Sequence, residues 1–358
     1  MRILSYRVAV LSLLALLTAS RTDAQSGPAS QGESKAKDET INAAGIELKR
    51  SGDGLTVARA KESFSTLSLE GSELKPEPPL TASNVKMADF SREFIRLQWR
   101  PNDPVDVWVV LPQKVKNPPV VLYLYSYPNN LDRFKNDPYC RRVVSNGAAA
   151  VGFESALTGS RIRGTRPMKE WFVSELPESL ATTVHDVQLI LNYLEKRGDV
   201  DMSRVGMFGQ GSGGAIAILA AAVESRLKAI DLLNPWGDWP DWLATSDVVP
   251  PNERPNYMKP DFLKALEPLE PLRYLPSLKS RPLRIQYSDD ENKSAKQAAE
   301  KLDAAAPATA KIVHFPTGRA LYAVSSDGRL FEWIATALKS QAETKQAQIG
   351  APPAATAR

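Results

Sequence analysis

Hydrophobic positions follow two alternating periods along the middle of the chain. Phe94–Trp99 and Val105–Leu111 are rich in β-branched and aromatic side chains. Arg100-Pro101-Asn102-Asp103-Pro104 joins them and suits a turn, so the pattern predicts a hairpin. Val120–Tyr125 and Ala148–Phe153 are continuous apolar runs of strand length, as expected for strands buried on both faces. Asn136–Asn146, between them, is expected to be helical. Leu180, Val184, Val187, Leu191 and Leu194 recur at helical spacing within Leu176–Lys196. Val205–Phe208 reads as another buried strand and Ala215–Val223 as an apolar helix of small residues. Arg226–Leu233, Leu283–Tyr287 and Lys311–Phe315 are further strand candidates, and Ala295–Ala304 and Leu330–Lys339 further helices. Such alternation predicts an α/β fold: a mainly parallel central sheet flanked by helices.

The ends of the chain break this pattern. Arg2 and Arg7 precede an apolar core, Val8–Ala19, and the small-residue site Thr22-Asp23-Ala24 follows, so residues 1–24 read as a secretory signal peptide. The apolar run is shorter than the ~20 residues that span a bilayer, and no cysteine follows it to take a lipid. A secreted or periplasmic protein is expected, with no stable membrane anchor after cleavage. Residues 25–40, rich in Ser, Gly, Gln, Lys and Glu, suit a flexible leader. Residues 41–90 read as an N-terminal extension with scattered apolar side chains and the proline-rich stretch Pro76–Pro79. Residues 91–340 form the expected main domain, and 341–358 a loose tail of Ala, Gln, Lys and Pro. No internal repeat is seen.

Composition removes several function classes. The chain has 45 basic and 41 acidic side chains; without the first 24 residues the balance is 42 against 40, a formal +2. So small a charge gives no reason to expect nucleic acid as a partner. A single cysteine, Cys140, excludes an internal disulfide; in Asp-Pro-Tyr-Cys-Arg-Arg it reads as a partly buried helix residue, with a reactive thiol in a basic setting as the alternative. No Cys/His cluster suggests a metal, and the glycine run lacks the lysine and hydroxyl of a phosphate loop, so no metal and no cofactor are expected.

The chemistry centres on Gly209-Gln210-Gly211-Ser212-Gly213-Gly214, between the Val205 strand and the Ala215 helix. A sharp glycine turn there lifts one residue above the sheet. With Gly209 and Gly213 as the flanking small residues, the raised residue is Gly211, which has no side chain and takes a positive φ without steric cost. Ser212 then offers its backbone N–H. Slid by one, the raised residue is Ser212, with Gln210 where a small residue is wanted.

Arg92–Leu338 resembles the α/β-hydrolase superfamily, in the style of its dienelactone-hydrolase, acetyl-esterase and prolyl-oligopeptidase-like branch. His185-Asp186-Val187 through Leu194, Asp199-Val200-Asp201, Arg204-Val205-Gly206 and Gly209–Gly214 carry the resemblance. It implies a nucleophile elbow at the glycine turn, an acid after the strand Leu283–Tyr287, where Asp290 matches, and a histidine in the loop after the last strand. That loop holds Arg319 and Ala320 instead. Arginine cannot act as the general base. The only histidines are His185, in a helix before the elbow, and His314, within the last strand. Where relatives carry His-Gly-Gly for the oxyanion hole, this chain has Tyr125-Ser126-Tyr127; the Tyr127 hydroxyl is one candidate donor, and closure of the cleft by the tyrosines the other reading.

Asn234–Ser280 reads as a proline-rich cap insertion, in which Trp236, Trp239 and Trp242 either hold a small-molecule, sugar or peptide ligand in the cleft or cement the cap. Three functions follow as expectations. One is a hydrolase-fold protein without a working triad, used for binding or structure. Another is a serine hydrolase, an esterase or peptidase-like enzyme, using Ser212 with Asp290 and an atypical base. The third is a partner-binding module acting through the tryptophan cap or the N-terminal extension. Substrate and oligomeric state are left open.

Overall fold

The computed structural model describes residues 39–43, 46–51, 54–57, 61–101, 103–128, 131–157, 161, 175–290, 295–326 and 328–350. The expected signal peptide (1–24) and the residues up to 38 lie outside them, as does the end of the tail from 351. Among the described residues no helix is long and apolar enough to cross a membrane.

The chain divides into two units, Met1–Val57 and Ala58–Arg358. In the first, β1 (Glu39–Ala43), β2 (Ile46–Ser51) and β3 (Gly54–Val57) form an antiparallel meander.

The second unit is built on a nine-stranded sheet. Its strands are β4 (Leu80–Lys86), β5 (Phe90–Leu97), β6 (Val105–Pro112), β7 (Pro119–Leu124), β8 (Ala149–Phe153), β9 (Asp201–Gln210), β10 (Leu227–Leu233), β11 (Leu283–Ser288) and β12 (Lys311–Phe315). Their spatial order is β12-β11-β10-β9-β7-β8-β6-β5-β4. From β8 to β12 every pairing is parallel, and β4, β5 and β6 add an antiparallel flank. The predicted hairpin is β5–β6, with Phe94 opposite Trp108 and their rings 4.7 Å apart.

Strand periodicity sorts the core into two layers. In β7, Val120, Leu122 and Leu124 face one helical layer, and Val121 and Tyr123 face the other. The first layer holds α2 (Leu176–Arg197) and α3 (Ser212–Val223). The second holds α1 (Asp137–Val144) and the buried face of α7 (Arg329–Gly350), including Phe331, Ile334 and Leu338. Between β10 and β11 the chain carries α4 (Trp239–Thr245) and short helical turns between Arg254 and Ser280. Next come α5 (Lys296–Ala305), after β11, and α6 (Gly318–Ser326), after β12.

Two elements exceed the sequence pattern. β4, largely polar and exposed, extends the sheet back to Leu80; an edge strand pairs through its backbone and needs no apolar face. α7 continues to Gly350, into the stretch that composition marks as a loose tail. Gln341–Gln348 is made mostly of good helix formers and has no proline to stop the turn.

Candidate active site

β9 ends at Gln210, α3 begins at Ser212, and Gly211 joins them at φ 54°, ψ −115°. That conformation is costly for any residue with a side chain. The flanking glycines are needed for a different reason, close approach. A Cβ on Gly209 would lie 2.3 Å from the Gly213 carbonyl oxygen, and one on Gly213 would lie 2.2 Å from the Leu124 carbonyl oxygen. The turn is therefore centred on Gly211, and the raised position has no side chain. A Cβ there would lie 2.1 Å from Ser126 Oγ, 2.6 Å from Ser126 Cβ and 3.2 Å from Trp236 Nε1.

Around this point two serines and two amides satisfy one another. The Tyr127 backbone N–H donates to Ser212 Oγ at 2.9 Å, and the Ser212 N–H donates to Ser126 Oγ at 3.4 Å. Ser212 is fully buried. Tyr125 turns away into the α1/α7 layer, where its hydroxyl hydrogen-bonds that of Tyr139 and Arg133 stacks 3.5 Å from its ring centre. Tyr127 is half-buried, and burial pushes its phenol up.

Asp290 sits exposed just past β11. Its Oδ1 accepts from Ser288 Oγ at 2.8 Å and from the Gly318 N–H at 2.7 Å. Asp290 thus meets a backbone amide of the segment after β12; Arg319, next in the chain, is exposed. Both histidines are committed elsewhere. His314, exposed on β12, places Nδ1 2.9 Å from Asp289 Oδ1 and stacks on Tyr287. His185, buried in α2, places Nδ1 2.6 Å from Glu62 Oε1 and Nε2 3.0 Å from the Thr66 carbonyl oxygen.

No family model matches the sequence, and no curated protein matches it. Solved structures do match the fold. An S-formylglutathione hydrolase from Agrobacterium tumefaciens is 15% identical, covering 72% of this chain and 99% of its own, with a TM-score of 0.53. Acetyl xylan esterase 1 from Thermoanaerobacterium sp. JW/SL YS485 is 13% identical over 72% of this chain and 89% of its own, with a TM-score of 0.52. An acetyl xylan esterase from Paenibacillus sp. R4 is 16% identical over 71% and 84%, with a TM-score of 0.51. The protein has the α/β-hydrolase fold.

Within this α/β-hydrolase fold Trp236, Trp239 and Trp242 pack against one another. Trp236 and Trp242 lie 4.3 Å apart, Trp239 meets Trp242 edge-on at 5.8 Å, and all three are buried in the core. Trp239 Nε1 donates to the Leu269 carbonyl oxygen at 2.8 Å. The Glu270 carboxylate accepts the N–H groups of Asp238 and Trp239, each at 2.8 Å, although burial pushes its carboxyl up. Of the two readings of these rings, the mutual packing is what supports their cementing this segment.

A concentration of buried ionisable groups lies elsewhere and was not legible in the sequence. Asp186, fully buried on α2, accepts from Arg100 Nη1 and Arg161 Nη1, both at 2.5 Å, and from Trp99 Nε1 at 2.9 Å. Arg100 forks onto Glu62 at 2.5 and 2.6 Å, and Arg161 onto Asp103 at 2.8 and 2.9 Å. Burial pushes the Asp186 carboxyl up, but the two guanidiniums outweigh it and hold it below the usual carboxylate range. A signal was present: His185-Asp186 interrupts an otherwise apolar helical stripe, and a buried charge must find partners. Beside this cluster a groove of about 780 Å³ runs between Leu69–Pro79, the end of β5 and α2; no elbow residue lines it. Among the described residues no His/Cys/Asp/Glu group suits a metal ion.

Proposed function

We propose that this is an exported α/β-hydrolase-fold protein without a working Ser-His-Asp triad, acting in binding or structure. The observation that carries the reading is Gly211, at the raised position, with the space for its missing side chain taken by Ser126. Three further features support it. Both histidines are bonded elsewhere. Ser212 is sealed under Tyr127. The amides that would stabilise an oxyanion end on serine hydroxyls. A triad needs its nucleophile within hydrogen-bond reach of a base, about 2.6–3.2 Å, and among the described residues the hydrogen bonds of Ser212, to Tyr127 and Ser126, are not to such a base.

An active serine hydrolase is the second reading. Asp290 sits in the acid position and touches the loop after β12, and the solved neighbours are named as esterases and a hydrolase. One experiment separates the two. The mature protein is incubated with a fluorophosphonate probe and analysed by mass spectrometry, beside a Ser212→Ala variant assayed on ordinary esters. The expected result is no labelled serine and no difference in turnover. Labelling of Ser212, or robust turnover lost in Ser212→Ala, would make the protein an enzyme.

A further inference from the structure

We infer that Ser126 is the plug of the former catalytic position. Its side chain fills the volume a nucleophile would occupy, and its hydroxyl occupies the amide that an oxyanion would need. The inference deepens the reading of a protein without a working triad, and rests on it.

Ser126 stands nearest that volume, with Trp236 Nε1 next at 3.2 Å. A Cβ built on Gly211 meets both side-chain atoms of Ser126, at 2.1 and 2.6 Å. The nearer contact is a hydroxyl that a new rotamer could swing away. The farther is a Cβ, fixed to the backbone, so only a shift of the Tyr125–Tyr127 turn relieves it. That turn is held on both sides of Ser126. The Tyr125 ring is clamped between Arg133 and Phe208 in the core, and the Tyr127 N–H is bonded to Ser212 Oγ at 2.9 Å. From below, Trp236 N–H donates to the Gly211 carbonyl oxygen at 3.1 Å and Gly211 N–H to the Leu233 carbonyl oxygen at 2.9 Å. The elbow and the facing turn are thus both anchored, and Gly211 and Ser126 are complementary: one position is empty because the other is full.

Complementarity of this kind appears as coupling in a double-mutant cycle. The cycle uses Gly211→Ala, Ser126→Gly and the double variant in the full-length mature chain. Gly211→Ala adds one Cβ and is expected to lower the Tm by about 5 °C or more, from overpacking and the positive φ. The φ strain is present in both backgrounds and cancels in the cycle. In the Ser126→Gly background the same change should cost clearly less, and in Ser126→Ala, which keeps the Cβ, the relief should be partial. If Gly211→Ala alone yields no soluble protein, recovery of soluble protein in the double variant is the same result.

A second readout separates a plug from a merely structural contact. In Gly211→Cys/Ser126→Gly the introduced thiol should react with iodoacetamide while Cys140, buried with its thiol pushed up by burial, does not. Losses that simply add, or an introduced thiol no more reactive than Cys140, overturn the proposal. Either result leaves the fluorophosphonate experiment on the native protein untouched, so failure of the plug is distinct from failure of the functional reading.

Discussion

At the elbow, two hydroxyls and two backbone amides satisfy one another without a formal charge. Around Asp186, by contrast, three carboxylates and two guanidiniums are buried together, with His185 bonded to one of them, Glu62. The residue types usual in hydrolytic chemistry are therefore present, but α2 and its neighbours use them as scaffold. The two regions also differ in what the loss of one group leaves behind. A neutral hydroxyl can be deleted for the cost of one hydrogen bond. A member of the ionic chain cannot be removed without stranding a buried charge.

The sharpest break of that comparison is Asp186→Asn. It leaves the Arg100 and Arg161 guanidiniums without the carboxylate they share. Removing one partner of a buried ion pair typically costs about 3–5 kcal/mol, which in a domain of this size is a fall of roughly 10 °C in Tm. Thermal melts followed by circular dichroism measure it. A loss as small as that from Asp132→Asn, whose pair with Lys135 is exposed, would show that the cluster is no more than a surface network.

Glu62→Gln probes one end of the same chain, with a smaller effect of about 2 kcal/mol at neutral pH. Burial opposes ionisation of Glu62, but hydrogen bonds from Arg100 and His185 outweigh it and lower its pKa from 4.5 to about 2. A value depressed on folding adds stability that is fully present above the unfolded pKa and is lost as pH falls through the folded one. The advantage of the wild type over Glu62→Gln should hold from neutral pH down to about 5 and shrink between 4.5 and about 2. Urea unfolding of both proteins across that range tests it; a difference that stayed constant to the acid end would remove Glu62 from the network.

How far the sequence could be read follows from the range of the interactions. β7, β8, β9 and α2 were legible because their apolar periods are local and long. The glycine turn was legible because Gly209, Gly211 and Gly213 sit within five residues of one another. The charge cluster was not, since Glu62, Arg100, Asp103, Arg161 and Asp186 come together only through the tertiary fold. Ser126 was placed at the turn facing the elbow, but its contact with Gly211 was not legible, for a related reason. Between two tyrosines in the sequence it looks like the least important residue of its turn, and only the position opposite Gly211 gives it weight. β4 carries too few apolar residues to announce a strand, because its partner is a neighbouring backbone.

The smallest effect is expected at Asp290, and it tests what became of the acid position. Gly318 opens α6, and its N–H is one of the donors that a helix start leaves without an internal partner. Asp290 Oδ1 accepts that N–H at 2.7 Å, so the carboxylate works as a helix cap supplied from the end of β11. Loss of a cap costs about 0.5–2 kcal/mol. Asp290 is exposed, so Asp290→Ala should fall near the lower end of that range. Its signature should be local: faster hydrogen exchange at Gly318 and the amides after it, with the sheet unaffected. A carboxylate that orients a catalytic base would behave differently, because its removal would reduce turnover with little change in α6. If Asp290→Ala abolished an ester hydrolysis that the wild type performs while α6 kept its protection, the acid would be catalytic and the elbow would have to be re-examined as a working site.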